Sequence, residues 1–170
     1  TTQNKRLFTD ATTMPLTHSL LSKLQDSYPS IHFTPDSGFR WSPSEQTVFY
    51  AENEAAADAL LLHELGHALS DHRAYSRDVE LVTMETEAWE AAQRIAEQER
   101  VTIDTSVIED HLDTYRDWLH ARSVCPHCQS NGHQTGSDTY QCPACLQRWR
   151  VNEARHCQLR RYTTNSKTPL

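Results

Sequence analysis

The sequence predicts an α+β protein in which helices pack on a short antiparallel sheet and a small cysteine-rich module follows. Three observations support this fold class. Short β-branched and aromatic runs alternate with turn residues early in the chain, stretches with apolar residues at helical spacing come next, and two Cys-x-x-Cys pairs lie near the C-terminal end. A chain of 170 residues can bury the core of one domain and still carry a module. We expect two domains, residues 1–122 and 123–170.

The N-terminal part of the fold is predicted to be one helix and three strands. Residues 15–28 carry leucines at helical spacing, and the helix must end before Pro29. Residues 31–34, 38–41 and 47–50 are short β-branched and aromatic runs with turn residues between them. Such runs, separated by tight turns, predict a small antiparallel sheet.

Three longer helices are predicted after the sheet, at about residues 54–70, 79–100 and 105–122. Alanine, leucine and other strong helix formers fill the first, and the other two carry apolar residues three and four positions apart. Ser106 and Glu109 have the spacing of a capping box, which indicates where the last helix starts.

The first long helix contains His63, Glu64 and His67 in a His-Glu-x-x-His arrangement. Positions four apart lie one above the other on a helix, so the two imidazoles can bind one Zn²⁺. Glu64 lies beside the first ligand and can act as general base on a water that the zinc activates. The motif therefore predicts a catalytic zinc site. The alternative is a buried helix whose histidines are only hydrogen-bonded to their neighbours.

A catalytic zinc needs a third protein ligand and an open fourth position. Glu87 lies 20 residues after His67 on the next predicted helix, a separation that a helix, a turn and an antiparallel return would need. Glu85 is the near alternative, because a register error of one residue rotates a helix by about 100°. His72 is a weaker candidate, since it follows the predicted helix end. We prefer Glu87, with Glu85 as the alternative.

Cys125, Cys128, Cys142 and Cys145 form two Cys-x-x-Cys pairs with 13 residues between them. Each pair presents two thiolates to one metal, and together they supply the four sulfurs of a tetrahedral structural zinc site. Glycines and small polar residues between the pairs suit the hairpin of a zinc ribbon. Metal binding would supply the folding free energy that so short a tail lacks.

The formal net charge of −7 is unevenly distributed, because residues 146–170 carry +5 and the rest carry −12. The basic residues of this tail are Arg148, Arg150, Arg155, Arg160, Arg161 and Lys167, against Glu153 alone. Such a tail could contact the phosphates of a nucleic acid, with stacking on Trp149 and Tyr162. It could equally dock on the acidic part of its own chain.

Other features indicate the compartment. No apolar run approaches the ~20 residues of a membrane span, and the first residues do not resemble a signal peptide. Five cysteines are an odd number, and four of them have metal-ligand spacing, which favours a reducing environment over a disulfide framework. We therefore expect a cytoplasmic protein.

The order of a helix, short strands, the histidine helix and a Glu-Thr-Glu-Ala element on a second helix resembles the ImmA/IrrE family of bacterial metallo-endopeptidases. The resemblance covers about residues 28–100. It implies a small zincin-like domain in which His63, His67 and a glutamate of the second helix bind zinc and Glu64 is the general base. It also implies a protein substrate, such as a regulatory or DNA-bound protein.

The chain departs from the common form of that family, since it has no obvious N-terminal helix-turn-helix and carries a cysteine module. SprT-like proteases also join such a motif to a zinc ribbon, but their third ligand is a histidine in a His-Gly context that this sequence lacks. We therefore expect a zinc-dependent endopeptidase with one catalytic and one structural zinc. The alternative is a nucleic-acid- or protein-binding zinc-ribbon factor with a vestigial protease site.

Overall fold

In the computed structural model, the described residues 17–164 form four α-helices and seven strands in two small sheets. This confirms the α+β class that the sequence predicts. Contacts divide the described residues into two compact units, 17–71 with 90–103 and 72–89 with 104–164. The sequence predicts a domain boundary after residue 122. That boundary stays a prediction, because contacts within the fold do not show which segment folds alone.

The first unit begins with helix α1 and a three-stranded sheet. The elements are α1 (His18–Ser27), β1 (His32–Pro35), β2 (Arg40–Ser42) and β3 (Thr47–Tyr50). Helix α1 is joined to the next helix through Thr17, whose backbone N–H and Oγ donate to the two carboxylate oxygens of Asp58 at 3.0 and 2.8 Å. The predicted helix start at Pro15 lies outside the described residues.

The sheet has the order β1-β3-β2 and is mixed. Strand β2 pairs antiparallel with β3, but β1 pairs parallel with β3, so the prediction of an antiparallel sheet is wrong for this pair. Turn residues fix where strands end and leave the choice of neighbour open. Burial makes that choice, because β3 is the most apolar strand, with Val48 fully buried, and it takes the centre.

Helix α2 (Ala57–Leu69) packs against β2 and β3. It starts three residues later than predicted, because Ala56 adopts a left-handed conformation with φ of 57°. Leu61, Leu62 and Leu65 are fully buried, and the helix presents apolar residues around most of its surface. Core packing therefore holds this helix in place, and with it the two histidines that it carries.

The second unit contains the first half of helix α3 (Asp78–Glu99) and helix α4 (Thr105–Ser123). Asp104 caps α4, because its Oδ1 accepts a 2.9 Å hydrogen bond from the Ser106 backbone N–H. The predicted capping box is therefore replaced by a cap one residue before the helix. Glu109 instead pairs with Arg116, at 2.8 Å.

The cysteine module folds into a four-stranded antiparallel sheet. Its strands are β4 (His133–Gln134), β5 (Thr139–Gln141), β6 (Arg148–Val151) and β7 (Arg161–Thr164), in the order β4-β5-β6-β7. Tyr140 and Trp149 stack at its centre, with ring centroids 5.7 Å apart. Gly132 lies against this centre, where a Cβ would collide with the Trp149 ring.

Within residues 17–164, none of the helices combines the length and the apolar character that a membrane crossing requires.

Candidate metal centres

His63 and His67 lie on the same face of α2 and converge. Their Nε2 atoms are 3.1 Å apart and the rings meet edge to face, with centroids separated by 4.6 Å. His63 is 1% exposed and His67 is 9% exposed. Two nitrogens that share a tetrahedral zinc at 2.0–2.1 Å are about 3.3 Å apart. The pair thus has the spacing of two ligands to one ion.

Glu85 of α3 completes a group that could hold a metal ion. The ligand atoms of His63, His67 and Glu85 all lie within 4.8 Å of one another. Glu85 is 5% exposed, and carboxylates are seldom this buried unless they are paired. Two imidazoles and one carboxylate form a donor set that suits a catalytic zinc with one open position.

Glu87, the preferred third ligand from sequence, has a different environment. Its Oε2 lies 3.0 Å from Nε2 of His72, and its side chain is 54% exposed. The His72 ring is 8% exposed, so this pair stands at the boundary between interior and solvent. Glu85 and Glu87 are about 200° apart around the helix axis, which separates a buried carboxylate from an exposed one.

Glu64 follows the first histidine of the pair, and its side chain is partly exposed between buried neighbours. The predicted general base is therefore on the helix that carries both imidazoles and retains access to solvent. A base needs that access, because it must take a proton from water and later release it.

The two cysteine pairs have the same backbone geometry. Gln129 and Leu146, which follow the second cysteine of each pair, both have φ of 62°. Their N–H groups donate at 3.0 Å to the carbonyl oxygens of Cys125 and Cys142, respectively. Each turn thereby directs its two sulfurs to the same side.

The four sulfurs converge on one point. Sγ of Cys125 lies 3.7 Å from Sγ of Cys145, and Sγ of Cys128 lies 3.4 Å from Sγ of Cys142. All four lie within 4.8 Å of one another. Sulfurs that bind one tetrahedral zinc at 2.3 Å are about 3.8 Å apart. The module therefore has the ligand set and the spacing of a zinc ribbon.

Proton affinities within this cluster diverge. Hydrogen bonds from the Ser130 backbone and side chain, followed by those from neighbouring thiols, lower the pKa of Cys128 to about 6. For Cys145, a hydrogen bond from the Gln147 backbone N–H lowers the pKa. Burial and the neighbouring thiols outweigh it, so that the pKa of Cys145 is raised to about 12. The first proton leaves easily and the last is held tightly, because thiolates at this distance repel. A cation among the sulfurs would remove that repulsion.

A buried ion pair joins this module to α3 and α4, and the sequence analysis missed it. Asp78 is 1% exposed and receives two hydrogen bonds from Arg122, from Nε at 2.5 Å and from Nη2 at 3.1 Å. The Tyr140 hydroxyl also donates to Asp78, and the Asp78 backbone N–H donates to Gln134 Oε1 at 2.7 Å. An Asp at a helix start and an Arg in a last turn are ordinary sequence features, so no local signal points to their pairing.

A second contact joins the segment after β6 to α4. The Arg155 guanidinium lies 3.8 Å from the centroid of the Tyr115 ring. Tyr115 is buried with Leu81 of α3 and Trp118 of α4. Burial, followed by the nearby Glu85 carboxylate, raises the pKa of the Tyr115 hydroxyl. The environment of Glu85 thus includes side chains of α4.

Two arginines of the basic tail form contacts within the protein. Arg150 forms a 2.5 Å ion pair with Asp138, and Arg161 donates to the Ala121 carbonyl. Within residues 17–164, no carboxylate pairs with Arg148 or Arg160. Trp149 is fully buried, so it is not available for the stacking that the sequence suggested. Lys167 lies outside the described residues.

Comparison with protein-family models, with curated proteins and with solved structures finds no match to this chain.

Proposed function

We propose that this chain is a zinc-dependent endopeptidase whose catalytic zinc is bound by His63, His67 and Glu85. The observation that carries the proposal is the convergence of these three buried or nearly buried donors, within 4.8 Å of one another. Glu64 directly follows His63 on the same helix. When bound there, zinc supplies Lewis-acid polarisation of the scissile carbonyl and lowers the pKa of water to about 7.

We propose Glu85 as third ligand in place of Glu87. A ligand carboxylate must give up its hydration, and Glu85 is already buried while Glu87 is half-exposed and paired with His72. Sequence spacing favours neither residue strongly, because both lie on the helix that follows the histidines. The difference in burial between the two carboxylates favours Glu85.

The protein side chains have distinct roles in the proposed hydrolysis. His63, His67 and Glu85 hold the metal, and Glu64 accepts a proton from the attacking water. Water oxygen then bonds to the carbonyl carbon, the C–N bond breaks, and the proton held by Glu64 passes to the leaving amine. One carboxylate thus serves as base and then as acid.

The ImmA/IrrE resemblance supports a zincin-like reading of the first part of the chain and a protein substrate. We propose a regulatory or DNA-bound protein as that substrate. A second zinc, in the Cys125, Cys128, Cys142, Cys145 site, is structural in this proposal. Because those thiols must stay reduced to bind metal, the proposal places the protein in a reducing compartment such as the cytoplasm.

The test compares the Glu64→Gln variant with wild type and with Glu90→Gln, a change at an exposed glutamate of α3. The substrates are fluorescently labelled casein and a mixed peptide library read by mass spectrometry. We expect Glu64→Gln to keep its zinc and lose cleavage, and Glu90→Gln to keep both. Cleavage that survives in Glu64→Gln at the wild-type rate contradicts the mechanism.

A second candidate function is binding of single-stranded nucleic acid by the cysteine module. The register of β6 and β7 puts Arg150 opposite Tyr162, on the face that also exposes Arg148. The Arg148 guanidinium and the half-exposed phenol ring of Tyr162 suit phosphate contact and base stacking, while Arg150 on the same face is already paired with Asp138.

This candidate is tested by fluorescence anisotropy with a labelled oligonucleotide at several salt concentrations. Binding that weakens with salt, weakens further in Arg148→Ala and Tyr162→Ala, and survives in Glu64→Gln would support it. Absence of binding at low salt would reject it.

A further inference from the structure

We propose that the cysteine module acts as a positioning element for Glu85, so that the ribbon metal and the His63, His67, Glu85 metal bind cooperatively. This inference rests on the metal site of the proposed function. It adds that residues of the ribbon, which contact no reacting atom, set the affinity of the catalytic site through helix α3.

Asp78 is the residue through which the cysteine module contacts the start of α3. This carboxylate receives hydrogen bonds from Arg122 of α4 and from Tyr140 of β5, and its backbone N–H donates to Gln134 of β4. Gln134 returns a longer hydrogen bond to Asp78 Oδ1, at 3.3 Å. Two of the three partners belong to the ribbon sheet. The start of α3 is therefore fixed by the ribbon as much as by helix packing.

Helix periodicity relates the position of Asp78 to that of Glu85. Asp78 is the first residue of α3, and Glu85 follows seven residues later. Seven residues are close to two full turns, so the two side chains project from nearly the same face of the helix. A rotation or fraying of α3 at Asp78 would therefore move the carboxylate of Glu85 out of register with its co-ligands.

The face of α3 that carries Glu85 packs against α4. Leu81 lies one turn before Glu85 and packs with Tyr115 and Trp118 of α4. Arg155, just after β6, stacks on Tyr115 and also lies 5.8 Å from the Trp118 ring centroid. The Trp118 indole N–H donates to the Glu153 carbonyl at 2.7 Å. The segment after β6, with Glu153 and Arg155, thus contacts the α4 side chains that pack beside Glu85.

The ribbon cannot maintain these contacts without its own metal. Tyr140 belongs to the small core that contains Cys125, Cys142, Trp149 and Val151, and a core of this size depends on bound zinc for its folding. Loss of the ribbon metal would remove Tyr140 and Gln134 from Asp78. Coupling of this kind is reciprocal, so metal at Glu85 must also stabilise the ribbon.

The experiment uses Co²⁺ as the probe on the full chain, since thiolate-to-cobalt charge transfer marks the cysteine site and is missing from a His/His/Glu site. The ribbon is first loaded with Zn²⁺, and the second site is then titrated with Co²⁺. The variants are Tyr140→Phe, which removes the hydroxyl alone, and Cys128→Ser with Cys142→Ser. The matched control is Asp138→Asn, which removes the Arg150 ion pair inside the ribbon without touching Asp78.

We expect Tyr140→Phe to weaken Co²⁺ binding at the second site about 3- to 10-fold, and the cysteine variant to weaken it about 10- to 100-fold, the range of supporting contacts around metal ligands. Asp138→Asn should bind as wild type. Amide hydrogen exchange of residues 81–88 should speed up in the first two variants. Exchange reports the fixing of α3 independently of any activity.

The outcomes separate the two proposals. Wild-type Co²⁺ affinity in Tyr140→Phe and in the cysteine variant overturns the positioning role and leaves the peptidase site intact. A weakening in Asp138→Asn equal to that in Tyr140→Phe overturns it as well, because it would reflect general ribbon damage. Failure of the wild-type protein to bind Co²⁺ at His63, His67 and Glu85 overturns both proposals.

Discussion

The two groups that could hold a metal ion are assembled in different ways. The four cysteines come from two copies of one short turn, and each turn brings its sulfurs together by hydrogen bonds between residues four or five apart. The His/His/Glu group takes two ligands from one helix and the third from another. In the first group, local conformation places the sulfurs of each pair, and the fold of the module brings the two pairs together. The second requires that two helices have a defined rotation about their axes.

The two groups also differ in the side chains that surround them. The sulfurs are surrounded by a small core of their own, built on Tyr140 and Trp149. Glu85 is supported by a larger set of side chains from α3, α4 and the segment after β6. We infer that the geometry of the cysteine site depends mainly on side chains of its own module, while the geometry of the His/His/Glu site depends on side chains from several elements. Four predictions test this difference, beginning with the largest effect.

Removal of the cysteine ligands should abolish the ribbon fold. Cys128→Ser with Cys142→Ser leaves two sulfurs, and the apparent free energy of structural zinc binding is about 10–16 kcal/mol. We expect one zinc fewer per chain by native mass spectrometry and loss of amide protection in β5 and β6. Cys157→Ser, which changes the exposed fifth cysteine, should keep the zinc count. An equal number of zinc ions per chain in both variants would show that the two Cys-x-x-Cys pairs bind no metal.

Loss of the Asp78 carboxylate should destabilise the second unit strongly. Asp78→Ala leaves the Arg122 guanidinium buried without its partner, which typically costs about 3–5 kcal/mol. Urea unfolding measures the effect. Arg116→Ala, which breaks an exposed pair on the same α4, is the control and should change stability little. A small effect of Asp78→Ala would mean that the ion pair does not hold the ribbon to α3.

Neutralisation of Glu85 should weaken zinc at the histidine pair. We expect Glu85→Gln to lose at least the ~10- to 100-fold that supporting residues contribute, or about 1.4 kcal/mol for each factor of ten. Glu87→Gln is the matched control, with the same chemical change two residues away, and should stay close to wild type. Competition with a chromophoric chelator measures both. The reverse order would restore Glu87 as the ligand.

The ion pair inside the ribbon should give the smallest and most local effect. A hydrogen bond from Arg150 holds the pKa of Asp138 below its ordinary value of 3.8. The carboxylate therefore stabilises the folded state above that value, and the contribution is lost as the pH falls through the lowered pKa. We expect Asp138→Asn to be slightly less stable than wild type at pH 7, and we expect this difference to shrink as the pH falls below 3.8. A constant difference across this range would exclude the ion pair as its source.

The sequence predicts some parts of the site well because their geometry is local. His63 and His67 are four apart on a helix, so their convergence follows from backbone periodicity. The two Cys-x-x-Cys pairs close similar turns, and their spacing in the sequence predicts that the turns share one metal. Peptidase activity and the identity of the metal remain predictions. Helix positions were also predictable, to within about three residues at their ends.

Tertiary packing decided what periodicity leaves open. The burial of Glu85 and exposure of Glu87 depend on how α3 is rotated, because the two side chains lie on nearly opposite sides of the helix and a rotation of about half a turn would exchange them. The parallel pairing of β1 with β3 and the contact of Asp78 with Arg122 join residues that are far apart in the chain. Patterns in sequence report which residues share a turn or a face. Which faces meet is set by the burial of apolar side chains and the pairing of buried charges, and these are properties of the whole fold.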